Sequence, residues 1–331
     1  MSTGARPGRA ARRRSRRRPP PLAQRHGLDA VRWLVPAGIT ADGEAPGALE
    51  ALQARFPALA DPGATALTAR FAAGEIVDAD GRAWDVEDPV RPGDELWFHR
   101  ELRPEAIPDV ELPVLHLDDH LLVIDKPHDM ATMPRGAHVL ASALVRLRRE
   151  TGIEKLVPLH RLDRRTAGVL AFGIRPEERP AYQRLFADRE VDKEYEALVA
   201  RTSACTLALS AGERAVLRDR LIKERGELRT QVLPGEPNAE TVLEVLSTRE
   251  DDVRHLRLAP RTGRTHQLRV QLAARGAPIL GEDLYPHSVP EPGMPLQLLA
   301  RRLAFEDPFT AERREFTSER ELTPGSRTLS R

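Results

Sequence analysis

From Val114 onward, apolar positions alternate between continuous runs and helix-like spacing. Leu121-Leu122-Val123-Ile124-Asp125 reads as a buried strand that stops at Lys126-Pro127. Val139 to Thr151 places Leu140, Leu144 and Leu147 on one helical face and ends at Gly152, a C-terminal cap. Gly168 to Gly173 is a second buried strand, Glu177 to Arg189 a helix, and Glu194 to Ala200 a strand. Thr241 to Ser247 and Val253 to Pro260 pair as a hairpin across polar residues 248–252. Thr265 to Ala274 forms a short helix ended by Gly276, with Thr265 placed to cap it. Strands outnumber helices and hairpins are adjacent. The pattern therefore predicts an α+β fold, a mainly antiparallel mixed sheet with flanking helices, and not a doubly wound one.

Ahead of that block, residues 27–110 read as a small accessory module. It has a helical pattern from Ala48 to Phe56 and a Pro92-Gly93-Asp94 turn that feeds the strand Leu96-Trp97-Phe98. Pro104, Pro108 and Pro113 make a stiff connection. Residues 111–320 form the main domain, and 321–331 a C-terminal tail. Residues 1–26 hold nine arginines, no acid and the run Pro19-Pro20-Pro21, the composition of a disordered tail with non-specific affinity for polyanions.

Composition narrows the partners. The net charge of +1 conceals that tail, so the rest of the chain is mildly acidic and any polyanion grip must be local. Aromatic content of 4% argues against a stacking platform as the main grip. Cys205 is the sole cysteine, which excludes an intrachain disulfide and a multi-cysteine metal site. No apolar run reaches membrane-spanning length and the N-terminus lacks an apolar leader, so a cytoplasmic protein without membrane contact is expected. No extended apolar surface pattern is present, which favours a monomer.

Three separated segments carry candidate chemistry. Leu159 to Leu170 surrounds one carboxylate, Asp163, with Arg161, Arg164 and Arg165, next to a Thr-Ala-Gly turn and an apolar strand. A carboxylate among basic side chains stays available as a nucleophile, and the same cations hold phosphates. Val191-Asp192-Lys193-Glu194-Tyr195 sets a tyrosine at the start of a strand. Pro260 to Val270 includes a Gly263 turn followed by Arg264, His266 and Arg269 near a helix N-terminus, where anions bind. In isolation each has a plainer reading: a surface ion pair for Asp163, a packed strand residue for Tyr195, a solvated helix residue for Arg269.

Taken together the segments resemble the RluA-type pseudouridine synthases. That family shows His-Arg-Leu-Asp-Arg-x-Thr-Ser/Ala-Gly, here His160 to Gly168; Lys-x-Tyr, here Lys193 to Tyr195; and Gly-Arg-Thr-His-Gln-Ile/Leu-Arg-Val, here Gly263 to Val270. Pro278 to Tyr285 and the strand ending in Asp125-Lys126-Pro127 also match, so the resemblance covers about residues 112–320. Arg165 stands where an acidic residue is common, and Gln271 where a histidine is common. Residues 65–98 faintly resemble a small RNA-binding module.

The resemblance implies isomerisation of uridine within ribosomal or transfer RNA. The bond from ribose to nitrogen 1 breaks, the base turns, and it rejoins through carbon 5. It makes Asp163 the essential carboxylate, attacking sugar or base or abstracting a sugar proton. Arg269 becomes its ion-pair partner, and Tyr195 the residue against the base. Arg161, Arg164, His160, Arg264 and His266 are the RNA-contact candidates. No metal, nucleotide or other cofactor is implied, and a flipped uridine is expected. The segment Asp125 to Gly136, with Arg135, is read as a loop near the RNA. Two other readings compete: a catalytically silent RNA-binding protein on the same fold, and a hydrolase using Asp163. The first is opposed by the joint presence of Asp163, Tyr195 and Arg269. The second is opposed by the lack of a second carboxylate at a recognisable spacing.

Overall fold

The continuous apolar runs become strands because helices cover both faces of the sheet they build. The computed structural model describes residues 19–40, 44–61, 63–136, 138–249, 252–286 and 294–323. Two compact units divide the chain, Met1–Arg103 and Pro104–Arg331.

In the first unit, β1 (Val31–Leu34) pairs antiparallel with β2 (Glu95–Phe98). The helices α1 (Ala48–Arg55) and α2 (Leu67–Ala72) pack with them on a core that includes Trp33, Leu52, Phe71, Ile76, Leu96 and Phe98. Residues 1–18 of the Arg-rich tail lie outside the described residues. The remainder of that tail has contacts: Arg25 and Leu28 exchange backbone hydrogen bonds, and the His99 ring bonds the Ala23 carbonyl at 2.9 Å.

The second unit contains β3 (Val114–Leu117), β4 (Leu121–Lys126), α3 (Ala143–Thr151), β5 (Val157–Pro158), β6 (Ala167–Gly173), α4 (Arg179–Ala187) and β7 (Asp192–Ala200). It continues with β8 (Arg214–Ile222), β9 (Gln231–Leu233), β10 (Ala239–Thr248), β11 (Val253–Pro260), α5 (Gln267–Ala273), β12 (Leu298–Glu306) and β13 (Arg313–Thr317). The sheet runs β3-β4-β6-β12-β7-β11-β10-β8-β9, with β13 beside β12 and β5 beside β6. Among the described residues the pairing of β6 with β12 is parallel and the other pairings are antiparallel. The fold is the α+β mixed sheet that the pattern predicts.

Strand alternation explains the coverage. Leu122 and Ile124 of β4 and Leu170 and Phe172 of β6 face Leu144 and Leu147 of α3. Leu121, Val123, Val169 and Ala171 point the other way, toward Tyr182 of α4 and Phe305 of β12. Farther along, Leu268 and Leu272 of α5 pack on β7, β10, β11 and β12.

The division falls before residues 104–110, earlier than the expected boundary at 110. Glu105 accepts hydrogen bonds from the N–H groups of Val139, Leu140 and Ala141, and Arg146 donates to the Pro108 and Val110 carbonyls. The same Glu105 contacts accompany the shorter α3, which begins at Ala143 with Ser142 as N-cap rather than at Val139. Gly152 closes α3 in the left-handed conformation, as its position predicts. Among the described residues, no helix is long and apolar enough to cross a membrane, and no cluster of His, Cys, Asp or Glu is arranged to hold a metal ion.

Candidate active site

Asp163 lies on the turn that enters β6, and the structure clamps this turn from below. Thr166 N–H donates to the Asp163 carbonyl, while Thr132 Oγ1 donates to the Leu162 carbonyl at 2.8 Å. Lys126, fully buried at the end of β4, donates to the carbonyls of Pro127, Met130 and Arg164 at 2.9, 2.8 and 3.2 Å. Burial pushes the Lys126 ammonium down to about 7, against the attraction of Asp163 and Asp129. His128 donates through Nδ1 to the Arg165 carbonyl. The expected RNA-facing loop Asp125 to Gly136 thus has, through Thr132, a bracing role behind Asp163. Arg135 is exposed, its backbone bridged to His138.

The turn reaches the middle of the sheet because β6 lies directly beside β12. Gly168 sits opposite Ala300 with φ 110°, and an added Cβ would stand 2.2 Å from the Ala300 carbonyl oxygen. Tyr195 of β7 is also paired with Ala300, from the other side of β12, and with Leu258 of β11. The helix α5 follows β11. Residues 163, 195 and 269 therefore converge at one cleft of about 500 Å³.

Asp163, Tyr195 and Arg269 all line this cleft, with His160, Arg161, Arg264 and His266. Arg164 does not: it adjoins Asp163 in the sequence but is ion-paired with Asp129 at 3.0 Å. His160 lines the wall but is engaged inward. Its Nε2 accepts the Ala171 N–H at 3.2 Å and its ring stacks on Phe186. Burial, aided by Lys193, pushes its pKa down to about 3, so it is a neutral structural ring rather than a phosphate-binding cation. Arg264 is exposed, its Nε donating to the Asn238 carbonyl at 3.2 Å. Arg161 is exposed and has no acidic partner among the described residues. Arg189 and Lys193, not singled out as RNA contacts in the sequence, line the cleft in the same unpaired state.

Arg269 differs from its expected role. Its guanidinium does not pair with Asp163. It clasps Glu282 through Nε at 2.8 Å and through a second nitrogen, and reaches Asp283 at 2.7 Å. Three carboxylates compete for one guanidinium, and in this state the fully buried Glu282 has the close geometry. Burial works against the Arg269 charge, but Glu282 and, after it, Asp163 through space raise its pKa, so Asp163 and Arg269 interact without contact. Asp283 in turn bridges to Arg165 at 3.1 Å, and Arg165 donates to the Gly281 and Met294 carbonyls. Arg165 therefore ties the Asp163 turn to the segment after α5. Glu282, Asp283 and Lys126 were missed as site residues because in sequence they look like ordinary charges flanking a glycine or proline.

The helix cap also differs. His266, in the left-handed conformation with φ 54°, is the N-cap of α5, in place of Thr265. Gln267 Oε1 accepts hydrogen bonds from Thr262 Oγ1 and Arg264 N–H, occupying groups that the anion-site expectation left free. His266 Nε2 stands 4.0 Å from Asp163 Oδ1, and the Asp163 side chain is 31% exposed to the cleft. Burial lowers the His266 pKa, and burial with the Asp163 charge raises that of Tyr195, so a neutral imidazole and a protonated phenol flank the carboxylate. The departures Arg165 and Gln271 both have partners. Gln271 is buried and joins Thr241 Oγ1 to Asp219.

The sequence profile of the RNA pseudouridylate synthase family matches residues 120–274, which span all three converging segments. A dual-specificity RNA pseudouridine synthase RluA from Pasteurella multocida is 32% identical over 63% of this chain and 94% of its own length. A ribosomal large subunit pseudouridine synthase D from Xylella fastidiosa is 29% identical over 62% of each chain. The solved structure of human RNA pseudouridylate synthase domain containing 1 aligns with TM-score 0.50 and 25% identity, over 65% of this chain and 83% of that one.

Proposed function

The chain belongs to the RNA pseudouridylate synthase family and is an RNA pseudouridine synthase, and on that premise we propose that it isomerises selected uridines of a structured ribosomal or transfer RNA with Asp163 as the essential carboxylate. The observation that carries this reading is the convergence of Asp163, Tyr195 and Arg269, from three segments far apart in sequence, on one cleft bordered by Arg161, Arg189 and Lys193, which have no acidic partner among the described residues. The relatives' names speak of dual specificity and of the large ribosomal subunit, so the target search spans ribosomal and transfer RNA.

In this reading a uridine leaves its stack, at about a few kcal/mol, and enters the cleft. Asp163 attacks sugar or base, or takes a sugar proton, as the glycosidic bond opens. Tyr195, held as a phenol, presents its ring to the base and is a poor proton acceptor. Arg269 acts on Asp163 at a distance while its direct pairs with Glu282 and Asp283 keep the helix and the following segment in register. Arg161, Arg189 and Lys193 hold flanking phosphates. Arg264 and His266 border the same opening.

Site-resolved pseudouridine mapping tests the proposal. Total RNA from cells lacking the protein is compared with RNA from cells carrying it intact or as Asp163→Asn. One or a few discrete pseudouridines should vanish with the protein and return only with the intact form. In single-turnover assays Asp163→Asn should fall by at least about 10³-fold. A map that is the same in all strains would sink the reading.

A further inference from the structure

Behind Asp163 runs a line of buried polar groups whose spacing suggests where their hydrogens lie. Tyr285, 5% exposed in the segment after α5, accepts the Thr230 N–H on its hydroxyl oxygen at 2.7 Å. The hydroxyl's own hydrogen then needs an acceptor, and His266 Nδ1 stands 2.9 Å away. An imidazole accepting at Nδ1 carries its hydrogen on Nε2. That nitrogen faces Asp163 Oδ1 at 4.0 Å.

The ring has little freedom to do otherwise. His266 is pinned in a left-handed backbone conformation at the start of α5, and its ring meets Tyr285 edge-on with centroids 5.8 Å apart. Thr230 is itself fixed, its hydroxyl donating to the Thr265 carbonyl at 2.9 Å. The Arg269 guanidinium lies over the opposite partner, 5.7 Å from the Tyr285 ring centre.

We propose that Thr230, Tyr285 and His266 form a fixed donor line that positions Asp163. Tyr285 locks His266 in the Nε2–H form, and that N–H orients the carboxylate during the reaction. At 4.0 Å the N–H acts on Asp163 as an oriented dipole, and about 1 Å of side-chain movement makes it a hydrogen bond. His266 and Tyr285 are positioning residues here, and the inference rests on Asp163 as the essential carboxylate.

The surroundings keep both groups in the required state. Facing the imidazole are Asp163 on the turn before β6, Arg269 on α5, Glu282 and Tyr285 after it, and Lys223 just after β8. Burial lowers the His266 pKa, Asp163 and Glu282 oppose this, and Arg269 and Lys223 reinforce it, which leaves the ring neutral. Burial raises the Tyr285 pKa, so its hydroxyl keeps the hydrogen it donates.

Two measurements on the full-length protein test the line. The first is NMR of protein labelled with ¹⁵N in histidine and ¹³C in aspartate, with His266 and Asp163 assigned from His266→Gln and Asp163→Asn. The wild-type ring should be the Nε2–H tautomer. Tyr285→Phe should shift it to a tautomer mixture, raise its pKa and move the Asp163 carboxylate resonance. The second is tritium release from bulk RNA of cells lacking the protein, tritiated at carbon 5 of uridine. That hydrogen leaves when carbon 5 joins ribose.

Tyr285→Phe and His266→Leu should lower kcat about ten- to a hundred-fold with KM within about two-fold. His266→Gln, which keeps a side-chain N–H, should recover most of the loss. A wild-type Nδ1–H tautomer, an unmoved Asp163 resonance, or variants that change KM alone would each overturn the proposal. If the wild type released no tritium, the proposed RNA target would fall, while the tautomer and the carboxylate resonance would still decide the donor line.

Discussion

At His160 the ring nitrogen accepts a backbone N–H, and burial has driven its pKa to about 3. In the unfolded chain the same imidazole titrates near 6.5. As pH falls below 6.5 the unfolded state takes up a proton that the folded ring refuses, so this group destabilises the fold between about 6.5 and 3 and is silent above that window. The loss is at most about 1.4 kcal/mol per pH unit. His160→Phe keeps the stack on Phe186 but leaves the Ala171 N–H without its acceptor. It should cost about 1–3 kcal/mol at pH 7 and narrow that deficit toward pH 5, read by denaturant unfolding at each pH. RNA affinity should stay unchanged. At Glu196, burial pushes the carboxyl up, but hydrogen bonds from His255 and Arg301 outweigh it and hold the pKa near 2. Its contribution is present above about 4.5 and disappears only as pH falls toward 2. Asp163, Tyr195 and the His160 segment were legible as local motifs. The partner of Arg269 was not, because sequence order says nothing about which of Asp163, Glu282 and Asp283 stands closest.

Among the elements, β6 and β12 show why a glycine is needed. Gly168 adopts φ 110° and leaves no room for a Cβ against the Ala300 carbonyl. Gly168→Ala should separate β6 from β12, lower stability by about 2–4 kcal/mol and shift the Asp163 turn away from Tyr195. Thermal unfolding and single-turnover rates measured together check both effects, and an unshifted melting temperature would refute the account. The elements that the sequence reading did not identify are also instructive. Residues of β8 and β12 carry charges at positions where an isolated strand reads as polar. In the sheet Arg214 and Arg218 of β8 meet Glu244 and Glu240 of β10. Arg301 and Arg302 of β12 meet Glu196 of β7 and Glu315 of β13. Those partners lie outside any local window.

Over the whole molecule, the formal charge of +1 hides how cations are distributed around the cleft. Many arginines of the second unit are ion-paired with acids, whereas Arg161, Arg189 and Lys193 line the cleft without an acidic partner among the described residues. Arg161→Ala should weaken RNA binding similarly across sequences and reduce the slope of log affinity against log salt by about 0.7–0.9. Arg164→Ala, removing an arginine already neutralised by Asp129, should change that slope much less. Titrations at several salt concentrations distinguish the two, and equal slopes for both variants would refute the assignment.

The sequence by itself determined the fold class, the order of the main strands and helices, and three motifs that predict a family and a reaction. Apolar periodicity and cap residues act over a few positions, and a motif is local by definition. Only the tertiary structure decided what each motif residue touches. It turned His160 inward, paired Arg164 with Asp129 and gave Arg269 to Glu282 and Asp283. It also brought Lys126 beneath the Asp163 turn and Tyr285 behind His266. The reason is that a charge or hydrogen in a buried site goes to the nearest competent partner, and nearness there is set by strands that pair across a hundred residues.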